Sequence, residues 1–340
     1  MSATVITELL GDGIGPELRD AVHAVADALP IDLEFRAIDL SLENRRVRGM
    51  AIYDDAIESM RATKISLKYP TITEAESPNA VLRSRLEFCV IHRPVRSIEG
   101  IDSNFKHDVH VEIVRVATGG TYDDPGKMIG RDSAVSLRIV ERRPVFNAAH
   151  FAFRLAQKRG FSVTSSSKHT IQKVTDGFFE QITREVHADY KDVSHRVELF
   201  DALLAKIILH PQDFQVVLCL NEYGDFLSDM ACGLVGSLGT GASANYSFHE
   251  DGTVDIAMFD PAGGTAPDIA GQDKANPTAV LLAFGMLLDH MDRRDLGRPL
   301  RQAIFKLIKE GNCTADLGGS LKCSEFAKAV AELVESEIGS

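Results

Sequence analysis

The sequence predicts an α/β fold. Strand-like and helix-like segments alternate along most of the chain. A strand candidate such as residues 214–220 is short, β-branched and almost continuously apolar, and glycine and proline mark the joints. At 340 residues the chain is long for one core and suits two packed α/β lobes.

The chain opens as strand, turn, helix. Residues 5–10 are strand-like, Gly11-Asp12-Gly13-Ile14-Gly15-Pro16 is a turn, and residues 17–29 have helical spacing. Pro16 falls near the first helical position, where a missing N–H costs nothing. Residues 86–91 read as a strand ending at Arg93-Pro94, and residues 110–116 as another. A turn-rich, strand-like stretch over 119–145 suits an arm outside the core. Residues 161–164 lead into a helix predicted to begin near Thr170. Residues 214–220 read as a buried strand, which runs into Asn221-Glu222-Tyr223-Gly224 and a helix from about Asp225. A loop rich in glycine and proline over 260–277 precedes an apolar helix.

Composition excludes several classes of function. A formal net charge of −12 argues against a general nucleic-acid binder. Arg45-Arg46 and Arg142-Arg143 are isolated basic pairs of the kind found on solvated surfaces. The five cysteines form no CxxC pair, which speaks against a disulfide framework or zinc site. No signal peptide is expected, because a basic start is missing and Asp12 interrupts the first apolar stretch. The longest apolar run, 279–288, is far short of a membrane span. A cytoplasmic protein with reduced thiols is expected.

Several constellations could carry chemistry. Asp225 and Asp229 stand at i and i+4, one turn apart on a helix face. Like charges there repel unless a cation sits between them, and an all-oxygen set favours Mg²⁺ or Mn²⁺. Taken alone, such a pair is more often on the surface, with Asp225 as a helix N-cap. Arg83, Arg93 and Arg115 are candidate grips for carboxylates, two of them near strand ends. Lys168 and Tyr122 are candidate proton carriers. The Gly11–Gly15 spacing is not GxGxxG, so it is a poor Rossmann signal. The loop 263–271 could instead wrap an adenosine, with Asp268 accepting from a ribose hydroxyl and repelling a 2′-phosphate.

In order, the segments GDGIGPE (11–17), SPNAVLRSRLEF with HRPVR (77–96), TDGFFEQITREV (175–186), FDALLAKIILHPQDF (200–214), NEYGDFLSDMACGLVGSLG (221–239), DPAGGTAPDIAGQDKANPTA (260–279) and TADLGG (314–319) resemble the β-decarboxylating dehydrogenases, the isocitrate/isopropylmalate dehydrogenase family. The resemblance covers nearly the whole chain. It implies a two-lobed fold that is not a classical Rossmann fold, in a homodimer with an inter-subunit arm over about 119–147. The large cofactor lobe comprises 1–97 with 241–340, and the small lobe 98–240. It implies a metal held by Asp225 and Asp229 of one subunit and Asp201 of the other. Arg83, Arg93 and Arg115 then bind substrate carboxylates, joined by Ser77 and Asn79. Lys168, contributed across the dimer, is the base, and Tyr122 protonates the enol after CO₂ leaves. Asn221, Gly264, Thr265, Ala266, Asp268 and Asn276 contact NAD.

The chain departs from the family pattern around substrate and cofactor. Gly263 stands where a histidine is usual, Thr170 where an asparagine is, and Val116 and Gly119 where acidic residues are common. His92 is an unusual neighbour for Arg93. Ser77 and Asn79 match the isocitrate type, which points to isocitrate or a similarly anionic analogue. A 3-(phosphonomethyl)malate, with His92 as an extra donor, is one such analogue. Isopropylmalate, homoisocitrate and D-malate or tartrate are the alternative substrates, and a non-catalytic regulatory subunit is the alternative of another class.

Overall fold

The computed structural model describes residues 3–236 and 238–338. Met1, Ser2, Gly339 and Ser340 lie outside the described residues, as does Ser237 of the 221–239 segment. The alternation read from the sequence is realised as one ten-stranded sheet covered by helices, plus a separate two-stranded sheet. In chain order the strands are β1 (Thr4–Leu10), β2 (Leu33–Asp39), β3 (Ile65–Lys68), β4 (Val90–Arg96), β5 (His110–Val116), β6 (Lys127–Ile129), β7 (Ser133–Val135), β8 (Val163–Ser167), β9 (His195–Leu199), β10 (Val216–Cys219), β11 (Ala242–Phe248) and β12 (Val254–Pro261). The helices are α1 (Gly15–Asp27), α2 (Leu42–Arg48), α3 (Ala51–Thr63), α4 (Pro78–Arg85), α5 (Arg142–Arg159), α6 (Thr175–His187), α7 (Phe200–Leu209), α8 (Asn221–Val235), α9 (Thr278–His290), α10 (Arg294–Lys309) and α11 (Cys323–Ile338).

The large sheet runs β2-β1-β3-β12-β11-β4-β5-β10-β8-β9. Its outer parts are parallel, while β11 and β4 at the centre pair antiparallel on both sides. The pleat sends alternate residues to opposite faces, and the register carries that alternation across the sheet. Arg93 opposite Ile113 and Arg115 opposite Ile91 therefore share one face with Asn245 and Asp260. His92, Glu112, Val114 and Ala244 share the other.

The two faces are packed differently. The face opposite the arginines carries one large apolar cluster, to which α1, α5, α9, α10 and α11 contribute. On the arginine face the core is split in two. One cluster packs Ile52, Tyr53 and Met60 of α3 on Leu9, Ile91 and Met258; the other packs Leu203 and Leu227 on Val111, Ile113 and Val217. The split leaves room for polar side chains on the central strands.

The turn over 11–16 ties β1 to two distant loops. Asp12 N donates to Pro70 O at 2.7 Å and Ile14 N to Thr265 O at 2.9 Å. The Asp12 carboxylate accepts from the backbone N–H groups of Leu42 and Ile72. A Cβ at Gly11 would stand 1.9 Å from Pro70 O, so the glycine is there for a close backbone approach.

Five predicted boundaries are corrected. Residues 86–91 are not one strand: Leu86 caps α4, Glu87 turns with φ +52, and β4 starts at Val90 and runs through Pro94. Pro94 is tolerated because β11 pairs with β4 only as far as His92. Helix α6 begins at Thr175 rather than near Thr170, since Ile171 N and Gln172 N both turn back onto Lys168 O. Helix α8 begins at Asn221, with Leu220 at the cap, so Asp225 lies in its second turn and is no N-cap. Gly224, read as a turn residue, is inside that helix because a Cβ there would meet the Arg115 Cβ at 2.6 Å. The arm stretch stops at 141, where α5 takes over. The strand read over 214–220 is trimmed to Val216–Cys219.

Gly11→Ala is expected to lower stability by at least about 2 kcal/mol, because a backbone carbonyl cannot yield to the new methyl as a side chain can. Thermal and denaturant unfolding of the variant would check this, and an unchanged midpoint would contradict it.

Candidate active site

Eight of the residues singled out in the sequence converge on one cleft of about 1060 Å³. These are Ser77, Asn79, Arg83, Arg93, Arg115, Tyr122, Asn221 and Asp225. Strand β4 supplies Arg93, β5 supplies Arg115, α4 supplies Asn79 and Arg83, and α8 supplies Asn221 and Asp225.

Each arginine is held by a polar neighbour. Arg83 Nε donates to Asn245 Oδ1 at 3.2 Å, and Asn245 Nδ2 donates to Asp260 Oδ1 at 3.1 Å. Arg93 Nη1 donates to Ser228 Oγ at 2.7 Å, Asp229 Oδ1 at 3.1 Å and Asp225 Oδ1 at 3.3 Å. Arg115 Nε donates to Asn221 Oδ1 at 2.9 Å, and its Nη1 ion-pairs with Asp225. Tyr122 donates its hydroxyl to Asp225 Oδ2 at 3.2 Å.

The cleft gathers three guanidiniums in a confined, partly buried space. Burial, with Arg83 and Arg93 nearby, pulls Arg115 down to about 9 although Asp225 opposes the shift. Arg83 is lowered by burial and by Arg93, against the pull of Asp260. A guanidinium remains charged at neutral pH even so. Burial and the Asp225 charge raise the Tyr122 phenol above its ordinary value, so the group is protonated at neutral pH. Two buried polar atoms here have no partner among the described residues: Arg93 Nε, a donor, and Asn79 Oδ1, an acceptor. Unpaired buried groups are costly, and a polyanionic ligand carrying hydroxyl groups satisfies both kinds.

Asp225 and Asp229 project from α8 one turn apart, as the spacing implied. The Asp229 carboxyl is raised by burial and by Asp225, against the pull of Arg93 and Arg115. Their oxygen donors suit a hard divalent cation. Among the described residues, however, no three His, Cys, Asp or Glu side chains come together as a metal cage. Asp201 stands instead with Lys168, whose Nζ is 2.6 Å from its carboxylate, and that bond lowers Asp201. Neither residue lines this chain's own cleft.

The loop after β12 carries the other candidates. Ala266 takes a left-handed φ of +39, and a Cβ at Gly263 or Gly264 meets nothing within 4 Å, so the loop is an open cradle. Asp268 is exposed beside it, and Thr265 O is committed to Ile14. Asn276 is engaged within the loop, donating to Asp316 and accepting from Thr278 N.

Three of these residues have contacts that the sequence did not show. Asn221 is buried, with Arg115 Nε on one side and Gly119 O at 3.0 Å on the other, so within this chain it positions Arg115. Ser77 caps α4 by accepting from Ala80 N at 3.4 Å. His92 faces away from the cleft, with Nε2 2.6 Å from Glu112 Oε2, and cannot serve as a donor to a substrate there.

Sequence reasoning missed the supporting residues. Buried Asp176 accepts from Lys168 N at 2.7 Å, Tyr223 Oη at 3.1 Å and Arg138 Nε at 3.0 Å. Asn245, Ser228, Glu222 and Arg138 were missed as well. The available signal was polar residues inside apolar runs, such as Asn245 within β11. Asn221→Ala is expected to cost about 1–3 kcal/mol, since it leaves Arg115 Nε and Gly119 O unpaired. Unfolding of the ligand-free protein would read this, and no loss would contradict the positioning role.

The isocitrate/isopropylmalate dehydrogenase family matches residues 5–330. The chain is 35% identical over 336 residues to the mitochondrial isocitrate dehydrogenase [NAD] subunit alpha of Bos taurus, covering 97% of this chain and 90% of that one. It is 34% identical to the probable Drosophila melanogaster counterpart, over 96% of this chain and 86% of the relative. The crystal structure of isocitrate dehydrogenase from Methylococcus capsulatus superposes with a TM-score of 0.89 at 32% identity, covering 97% of this chain and 99% of that one. The chain thus belongs to the isocitrate/isopropylmalate dehydrogenase family, the decarboxylating dehydrogenases, and NAD-linked enzymes are among the relatives it matches.

Proposed function

We propose that the protein catalyses NAD-linked oxidative decarboxylation of isocitrate or a close tri-anionic analogue. The observation that carries this reading is the arginine cleft: Arg83, Arg93 and Arg115 converge there, with Arg93 Nε and Asn79 Oδ1 both unpaired among the described residues. Three guanidiniums match a substrate with several carboxylates. Asn79 at the N-terminal turn of α4 favours a polar substituent at C3, since an isopropyl group would leave its amide oxygen dry and unpaired. The phosphonomethyl variant loses its specific support because His92 is on the other face of β4.

Asp225 and Asp229, completed by Asp201 of a second copy, are the residues that would hold Mg²⁺ or Mn²⁺. Such an ion, when bound, supplies a Lewis acid and an electron sink for loss of the carboxylate. The open loop with Gly264, Thr265, Ala266 and Asp268 would hold NAD⁺, which when bound would supply the hydride acceptor. The exposed Asp268 favours NAD by repelling a 2′-phosphate. Lys168, as the neutral amine, takes the hydroxyl proton; in this chain its Nζ lies 2.6 Å from the Asp201 carboxylate. Tyr122, kept protonated by burial and Asp225, returns a proton to carbon after CO₂ leaves. The arginines orient the carboxylates throughout.

A homodimer with shared sites follows from the same reading. Lys168 and Asp201 lie outside their own chain's cleft, and apolar side chains are exposed near them and on the β6–β7 hairpin: Ile171, Val174, Met128, Ile129 and Leu137. A lone two-stranded hairpin is marginal in water unless something covers it.

With Mn²⁺ and NAD⁺, isocitrate is expected to give faster NADH production than 3-isopropylmalate, homoisocitrate or D-malate. Turnover on none of the four would reject the reading. NAD⁺ should exceed NADP⁺ in kcat/KM. Lys168→Met is expected to cut kcat by at least about a hundredfold, the lower range for removing a general base. Mn²⁺ binding followed by calorimetry should be nearly intact, and survival of turnover would overturn the role of Lys168.

A further inference from the structure

The central strands carry a second cavity on their other face. It encloses about 670 Å³, and His92, Phe151, Tyr246, Met286, Phe305 and Arg298 are among the residues around it. Strand alternation turns His92 and Glu112 toward it and Arg93 and Arg115 toward the dehydrogenase cleft; Val95, Cys232 and Val235 reach it from the arginine side, yet the two cavities share no lining residue. Its volume falls within the range of roughly 300–1000 Å³ typical of small-molecule sites.

The walls are of two kinds. Aromatic and aliphatic side chains form one part: Phe151 from α5 packs on Tyr246 at a ring-centroid distance of 5.2 Å, with Met286 and Phe305 from α9 and α10 also lining the space. The other part is basic. Glu112 is the buried carboxylate of the cavity, ion-paired with Arg159 and hydrogen-bonded to the His92 and His110 rings. Arg301 is likewise tied to Asp289. Arg294 and Arg298, exposed on the first two turns of α10, and Lys158 at the end of α5 have no acidic partner among the described residues. Arg96 bonds only to the His110 ring, Nη2 to Nε2 at 2.8 Å. Arg294 and Arg298 stand at i and i+4, where like charges repel unless an anion lies between them. Arg294 opens α10 and Arg298 stands one turn further on, so both point from the same helix face.

We propose that this cavity is a second ligand site, for an organic anion with an aromatic body, whose acidic group is held by Arg294 and Arg298 and whose ring rests on Phe151, Tyr246 and Met286. The site is separate from substrate and cofactor binding and does not depend on the reading of the reaction.

The probe is 8-anilinonaphthalene-1-sulfonate, an aromatic sulfonate whose fluorescence rises on leaving water, titrated into the full chain. A saturable enhancement with one probe per chain is expected, unaffected by isocitrate with Mn²⁺. Arg294→Gln with Arg298→Gln should weaken it at least tenfold while the circular dichroism spectrum stays unchanged. If that variant does not fold, Met286→Trp, which fills the apolar part and leaves both arginines, should abolish the enhancement. The proposal is overturned by the absence of saturable binding, by full affinity in either folded variant, or by displacement with isocitrate, which would put the probe in the dehydrogenase cleft.

Discussion

Asp225 is the point on which the cleft turns. Its carboxylate meets Arg93, Arg115 and Tyr122 at once, from β4, β5 and the arm stretch. Three guanidiniums thus stand close together in a partly buried space, where their mutual repulsion is costly and an entering anion relieves it. Arg115 feels it most, because burial and its arginine neighbours act in the same direction.

The backbone makes this concentration of charge possible. β4 and β11 run antiparallel to both neighbours at the middle of the sheet. On the arginine face the apolar core parts into two clusters, and the polar side chains lie between them. On the opposite face one large cluster packs the sheet against helices from both ends of the chain. Rigidity comes from that continuous face, and room for chemistry from the interrupted one.

Around the arginines stands a set of side chains that hold them in place. Asn245 and Asp260 hold Arg83, Ser228 holds Arg93, and Asn221 holds Arg115 while bonding Gly119. Asp176 does comparable work for Lys168, fixing its backbone N–H while taking bonds from Arg138 and Tyr223. Such partners set the direction of a flexible side chain before a ligand arrives, which reduces the entropy lost on binding.

The sequence by itself determined the α/β class, the strands β1, β5, β8 and β10, and the family, because ordered motifs and apolar periodicity are properties of contiguous residues. It also named eight of the residues that line the cleft, and the i, i+4 relation of Asp225 and Asp229 followed from helix geometry alone. Only the tertiary structure decided which way each side chain faces. Adjacent His92 and Arg93 look alike as candidates, yet the pleat sends one to Glu112 and the other to Asp225. Gly224 reads as a turn residue until Arg115 is seen packed on it, which is why the start of α8 was misplaced by four residues. Asn221, Asn245 and Asp176 were unreadable as supports because their partners lie far away in the chain, at separations such as 106 residues between Arg115 and Asn221. Contacts at that range are set by strand register and helix packing, which no local pattern of residues encodes.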